Sequence, residues 1–130
     1  TSALRRFRRR FADLPGNVRA RLVLENDEHS FGAPEVLDLV GHLGIPMVFD
    51  DLHHRAFACA YPDAALLAEV CRTWRRADGP PKLHYSAQRA GGRPGMHADH
   101  VPPADFCRFV AVLPPRAVDI MLEAKAKEGK

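Results

Sequence analysis

The stretch Ile45-Pro-Met-Val-Phe-Asp-Asp-Leu-His-His54 passes within ten residues from an apolar run to two acids and two imidazoles. An apolar run without alternation fits a strand buried on both faces of a parallel sheet. The polar residues then fall at its C-terminal end, where open α/β sheets and barrels build their sites. Three further runs have the same form: Leu22-Val-Leu-Glu-Asn26, Lys82-Leu-His84 and Asp119-Ile-Met-Leu-Glu123. Four strands that each deliver an acid or an imidazole at one end would gather residues that are distant in sequence.

Helical patterns separate these runs. Residues 3–14 carry Leu4, Phe7, Phe11 and Leu14 at three- or four-residue spacing, an amphipathic helix that Pro15-Gly-Asn17 ends. Residues 20–24 read as the first strand, followed by the polar loop Glu25-Asn-Asp-Glu28. Ala33 to Leu43 reads as a helix with Pro34 in its first turn and Gly44 as its cap. Ile45 to Phe49 is the second strand, and Asp50 to Pro62 a long loop holding the histidine pair. Asp63 to Arg76 is a helix with Leu66, Leu67, Val70 and Trp74 on one side. Lys82 to Tyr85 is the third strand, and Ser86 to His100 a glycine-rich loop. Pro102 or Pro103 opens a helix through Phe106, Phe109 and Val110. Val118 to Leu122 is the last strand, and Ala124 to Lys130 begins a further helix. The alternation predicts an α/β fold of parallel βα repeats, one domain over residues 1–130 without an internal linker.

The chain has 130 residues, 46% of them hydrophobic and 27% charged, which is enough for one core. The formal charge of +3 is too small to demand a nucleic-acid partner, and much of it comes from the block Arg5-Arg-Phe-Arg-Arg-Arg10. Three cysteines without CxxC spacing argue against a disulfide scaffold and for a reducing compartment. No stretch approaches the ~18 apolar residues of a membrane span, and the N-terminus lacks the apolar core of a secretory signal. The absence of an initiating methionine is read as a fragment, a processed chain or a trimmed one.

Asp50-Asp-Leu-His53-His54 is the strongest local signal, since nitrogen and carboxylate donors together suit zinc, manganese or iron. The bland alternative is a polar loop with a helix-capping acid. Lys82 and His84 share one face of their strand. In a barrel that face points inward, where an unpaired lysine is costly, so a buried, paired or carbamylated Lys82 could help to hold metal. His97-Ala-Asp99-His100 again resembles a ligand set, and Glu25 and Glu123 each end a strand. Gln88-Arg89-Ala-Gly-Gly-Arg93 offers two guanidiniums that could clamp a phosphate. No phosphate-binding glycine motif and no serine-hydrolase context are present. Divalent ions with water between them suit phosphodiester hydrolysis, and the same donors would suit a sugar isomerase or a metal-dependent aldolase.

Leu24-Glu-Asn-Asp27, Val48-Phe-Asp-Asp-Leu-His-His54, Lys82-Leu-His-Tyr-Ser86 with Gln88-Arg89, His97-Ala-Asp-His100 and Met121-Leu-Glu-Ala-Lys125 occur in this order. Together they resemble the C-terminal half of the UV damage endonuclease family, which is related to endonuclease IV and xylose isomerase. The resemblance implies the C-terminal half of a (β/α)8 TIM barrel with a metal cluster, manganese or alternatively zinc. It also implies incision of damaged double-stranded DNA on the 5′ side of UV photoproducts, by metal-activated water. It carries over Glu25, Asp50, His53, His84, His97 and Glu123 as metal ligands, and Lys82 as the modified lysine beside them. Lys82, Glu25 and Glu123 are the expected catalytic positions, His54 and Asp99 the groups behind the ligands, and Gln88, Arg89 and Arg93 the DNA contacts. The family barrel has eight strands, so the resemblance implies a missing N-terminal half, or a second copy that closes the barrel. It places the protein in a bacterial cytoplasm, at the nucleoid and not at a membrane. The competing readings are a sugar isomerase-like enzyme and a non-catalytic or partner-dependent half barrel.

Overall fold

The computed structural model describes residues 2–126. In chain order the elements are α1 (Ser2–Ala12), α2 (Gly16–Arg19), β1 (Leu24–Glu25), α3 (Ala33–Leu43) and β2 (Met47–Asp50). They continue with α4 (Asp51–Ala58), α5 (Ala64–Arg72), β3 (Lys82–Tyr85), α6 (Pro103–Val110) and β4 (Asp119–Leu122). The strands form one parallel sheet in the order β1-β2-β3-β4. Sequential parallel strands joined through helices are the expected βα repeat.

The register sorts the side chains. Phe49 pairs with Leu83 and Leu83 with Ile120, whereas Asp50 pairs with His84 and His84 with Met121. Because side chains alternate along a strand, the first set points into the helical layer and the second to the opposite face. Phe49, Met47 and Leu83 are fully buried there, with Val36 and Val40 of α3, Leu67 and Val70 of α5 and Phe109 of α6. Burial of each such side chain contributes about 1.5–3 kcal/mol. The opposite face is more open: Met121 is 58% exposed.

Local signals explain the boundaries. Pro34 lies in the first turn of α3, and Gly44 ends that helix with φ 67°, its N–H donating to the Val40 carbonyl. Asp63 caps α5 by accepting from the Leu66 N–H at 2.8 Å.

Four expectations need correction. The first strand does not span residues 20–24: the Arg21 and Leu22 N–H groups close turns onto the Val18 and Arg19 carbonyls, and only Leu24 and Glu25 pair with β2. Arg19 and Arg21 alternate with apolar neighbours and cannot be buried on both faces of a sheet. The histidine pair does not sit in a loop but in α4, which Asp50 caps by accepting from the His53 N–H at 2.8 Å. The helix expected over 63–76 ends at Arg72, and Arg76–Asp78 forms a separate 3-10 turn held by the Arg75–Asp78 ion pair. Of the helix expected from Ala124, residues 124–126 are not helical and 127–130 lie outside the described residues.

Candidate metal centre

Each strand delivers a donor to the same end of the sheet. Glu25 is the last residue of β1, Asp50 the last of β2, His84 lies within β3 and Glu123 directly follows β4. His53 comes from the first turn of α4 and His97 from the loop after β3. Ligand atoms of Glu25, Asp50 and His84 all lie within 4.8 Å of one another. The remaining expected ligands join this triad. His53 Nδ1 is 3.5 Å from Glu25 Oε1 and 3.8 Å from Asp50 Oδ2. His84 Nδ1 is 3.5 Å from Glu25 Oε1 and 3.7 Å from Glu123 Oε1, and His97 Nδ1 is 3.7 Å from Glu123 Oε2.

Several residues that hold the cluster were not singled out by the sequence. Asn26 is buried, its amide donates to the Asp50 carbonyl at 2.9 Å, and its Oδ1 accepts from the Asp50 N–H at 3.0 Å. A side chain thus continues the ladder between β1 and β2 where the strands end. The signal available was an amide at a strand terminus that would otherwise leave backbone groups of Asp50 without partners. Glu28 brings Oε2 to 3.7 Å from His53 Nε2. The tip of the Ser86–His100 segment packs on Glu28: at Gly95, with φ 81°, a Cβ would lie 3.1 Å from Glu28 Cγ.

The electrostatics fit a cation. Burial pushes the Glu25 carboxyl above the usual carboxylate range, and the nearby imidazoles, His84 foremost, pull it back. Burial raises Asp50 likewise, against the capping N–H of His53. Asp50 is 1% exposed, yet its Oδ2 accepts no hydrogen bond. A buried carboxylate oxygen without a donor, facing imidazoles and further carboxylates, has the chemistry of a ligand for a divalent ion.

The other expected site residues are placed differently. His54 is buried on the helical side with its ring 5.2 Å from that of Phe49, and burial depresses its pKa. Its place behind the ligands is therefore not supported by contact: Phe49 and Asp50 point to opposite faces. Lys82 does share the face of His84, but it is exposed rather than buried, and its Nζ lies 2.9 Å from Asp119 Oδ2. Asp99 is exposed, and its carbonyl accepts from the Ala126 N–H.

The glycine-rich loop is an ordered hairpin. Gln88 bridges His97, the Arg89 N–H donates to the Met96 carbonyl and the Ala98 N–H to that of Ala87. Gln88 Nε2 donates to the Arg93 carbonyl at 2.9 Å and its Oε1 accepts from the Gly95 N–H, so this amide staples the hairpin. Arg89 and Arg93 are exposed on it.

A parallel β/α sheet with carboxylates and imidazoles converging at its C-terminal edge defines a β/α protein with a candidate metal centre where barrels build their sites. The family described as UV-endonuclease UvdE matches residues 1–130, and the chain belongs to that family. The UV DNA damage endonuclease of Clostridium perfringens is 34% identical over 124 residues, covering 94% of this chain and 30% of the relative. That of Bacillus pumilus is 37% identical over 132 residues, covering 98% of this chain and 41% of the relative. The crystal structure of SacUVDE superposes with a TM-score of 0.85 at 40% identity, over 96% of this chain and 42% of that one. The four βα units therefore match a partial barrel, and the chain spans well under half the length of these relatives.

Proposed function

We propose that this chain provides the C-terminal four units of a (β/α)8 barrel that incises UV-damaged double-stranded DNA on the 5′ side of the lesion. The observation that carries this reading is the convergence of Glu25, Asp50 and His84 within 4.8 Å, with an unpartnered buried Asp50 oxygen. Glu25, Asp50, His53, His84, His97 and Glu123 would hold divalent ions, manganese in the first instance and zinc as the alternative. A bound divalent ion supplies a water of lowered pKa and neutralises charge on the phosphate. Glu25 and Glu123 both approach His84 Nδ1 and would group their carboxylates around that nitrogen. Lys82 shares the face of His84 at the start of β3, where its Nζ pairs with Asp119, and a catalytic role beside the cluster is assigned to it on the family relationship. Arg89 and Arg93 present guanidiniums that suit phosphate oxygens, whereas Gln88 shapes the hairpin that carries them.

Closing such a barrel would take further strands against the edges of β1 and β4, which as open edges invite association. A missing N-terminal half, on the same polypeptide or a separate chain, or a second copy of this chain would supply them. DNA as substrate would place the protein at the nucleoid of a bacterial cytoplasm. No helix among the described residues is long and apolar enough to cross a membrane. The test is nicking of supercoiled plasmid with manganese(II), with and without prior UV irradiation. Nicking confined to irradiated plasmid and abolished by chelator is expected. With the barrel completed by the strands that pair with β1 and β4, equal nicking of both plasmids, or none of either, contradicts the reading.

A further inference from the structure

The ladder between β2 and β3 ends at the pair Asp50–His84, because the chain turns into α4 at the next residue. Two residues beyond His84, Ser86 is fully buried and its carbonyl has left the reach of β2. Arg55, one turn along α4, takes over this position. Its Nη2 donates to the Ser86 carbonyl at 3.0 Å, and its Nε donates to Asp51 Oδ2 at 2.8 Å. Asp51 is itself buried and directly follows Asp50. The guanidinium carbon also lies 5.4 Å from the Tyr61 ring centroid and 6.0 Å from that of Tyr85, two aromatic contacts that help to hold it in place.

We propose that Arg55 is a positioning residue of the metal centre: its guanidinium ties the residue after Asp50 to the backbone beyond His84 and thereby sets the separation of these two donors. The fork does what a simple charge cannot. Nε and Nη2 lie in one rigid plane and donate in two directions, whereas an ammonium is a point charge on a flexible stem. A third donor depends on the same link, since His53 lies on α4 two residues before Arg55. Groups behind the ligands of a metal site commonly set affinity through ligand orientation. The inference rests on the reading of the cluster as a metal centre.

The experiment measures manganese(II) affinity, from the loss of the free-ion paramagnetic resonance signal, together with the thermal midpoint in chelator. It compares wild type, Arg55→Lys, Arg55→Met and Thr73→Val. Thr73 braces the start of β2, where its Oγ1 accepts from the Met47 N–H at 2.9 Å, at the end of the strand remote from Asp50. Arg55→Met should weaken binding roughly tenfold or more. Arg55→Lys, which keeps the charge and the aliphatic stem, should fold like wild type yet still bind more weakly. Thr73→Val should lower the midpoint and leave affinity within about twofold of wild type, as expected for distant, independent sites. Unchanged affinity in both Arg55 variants overturns the proposal, as does a loss in Thr73→Val as large as that in Arg55→Met. A wild type that binds no manganese overturns the metal-centre reading itself, a result distinguishable from either.

Discussion

Asp50 has three tasks at once. Its backbone is paired by Asn26, its Oδ1 caps α4, and its Oδ2 is left for the cluster. Sequence makes the acid conspicuous because it follows an apolar run, but nothing in the pattern says that Asn26 completes its hydrogen bonds. Asn26→Ala should therefore cost about 1–3 kcal/mol, the penalty for buried groups left without partners, which denaturant unfolding would measure. Arg89 is a residue whose role sequence expresses better than contacts do, since it is exposed and points to nothing within the described fold. Arg89→Ala should weaken DNA binding and reduce the slope of log affinity against log salt by about 0.9. An unchanged slope would remove Arg89 from the phosphate contacts. Gln88, read alongside it as a DNA contact, shows the opposite case: a polar side chain in a glycine-rich loop whose donors and acceptor all turn inward.

At the scale of elements, the strands β2 and β3 and the helix α3 were legible because apolar runs, Pro34 and Gly44 mark them directly. Helix α4 was not: its sequence is polar, and the cap that starts it is the same aspartate that reads as a metal ligand. β1 was placed too early because two residues of pairing leave almost no periodic signal. The hairpin after β3 could be recognised as a loop, but its order depends on Gln88 and on the contact between Gly95 and Glu28, which spacing does not reveal. Gly95→Ala would combine an unfavourable positive φ with a Cβ 3.1 Å from Glu28. It should destabilise the protein by at least about 1 kcal/mol, seen as a lower denaturant midpoint. No change in that midpoint would mean that the hairpin does not depend on this contact.

Over the whole molecule, burial sets the charge balance of the strand ends. It pushes Asp51 up to about 6 despite its ion pair with Arg55, and raises Glu25 and Asp50 as well. The folded chain then keeps protons that the unfolded chain has already lost. The corresponding stability is present at low pH and is lost as pH rises from the ordinary aspartate value of 3.8 to about 6. In chelator, the thermal midpoint of wild type should therefore fall relative to that of Asp51→Asn over this interval. A constant difference between the two would contradict the burial argument. Added divalent ion should reverse the part of the loss that comes from Glu25 and Asp50, because a cation takes the place of their protons, and should leave the Asp51 part unchanged.

The proposed function stands or falls with a divalent-metal centre assembled from four strand ends. Elemental analysis of the purified protein equilibrated with manganese(II), beside His84→Ala and Glu123→Gln, tests it most directly. Circular dichroism of the same samples reports whether they are folded. Stoichiometric metal is expected in wild type and its loss in both variants, with helix content nearly intact. Wild type without bound metal, or variants that retain the full amount, would contradict it.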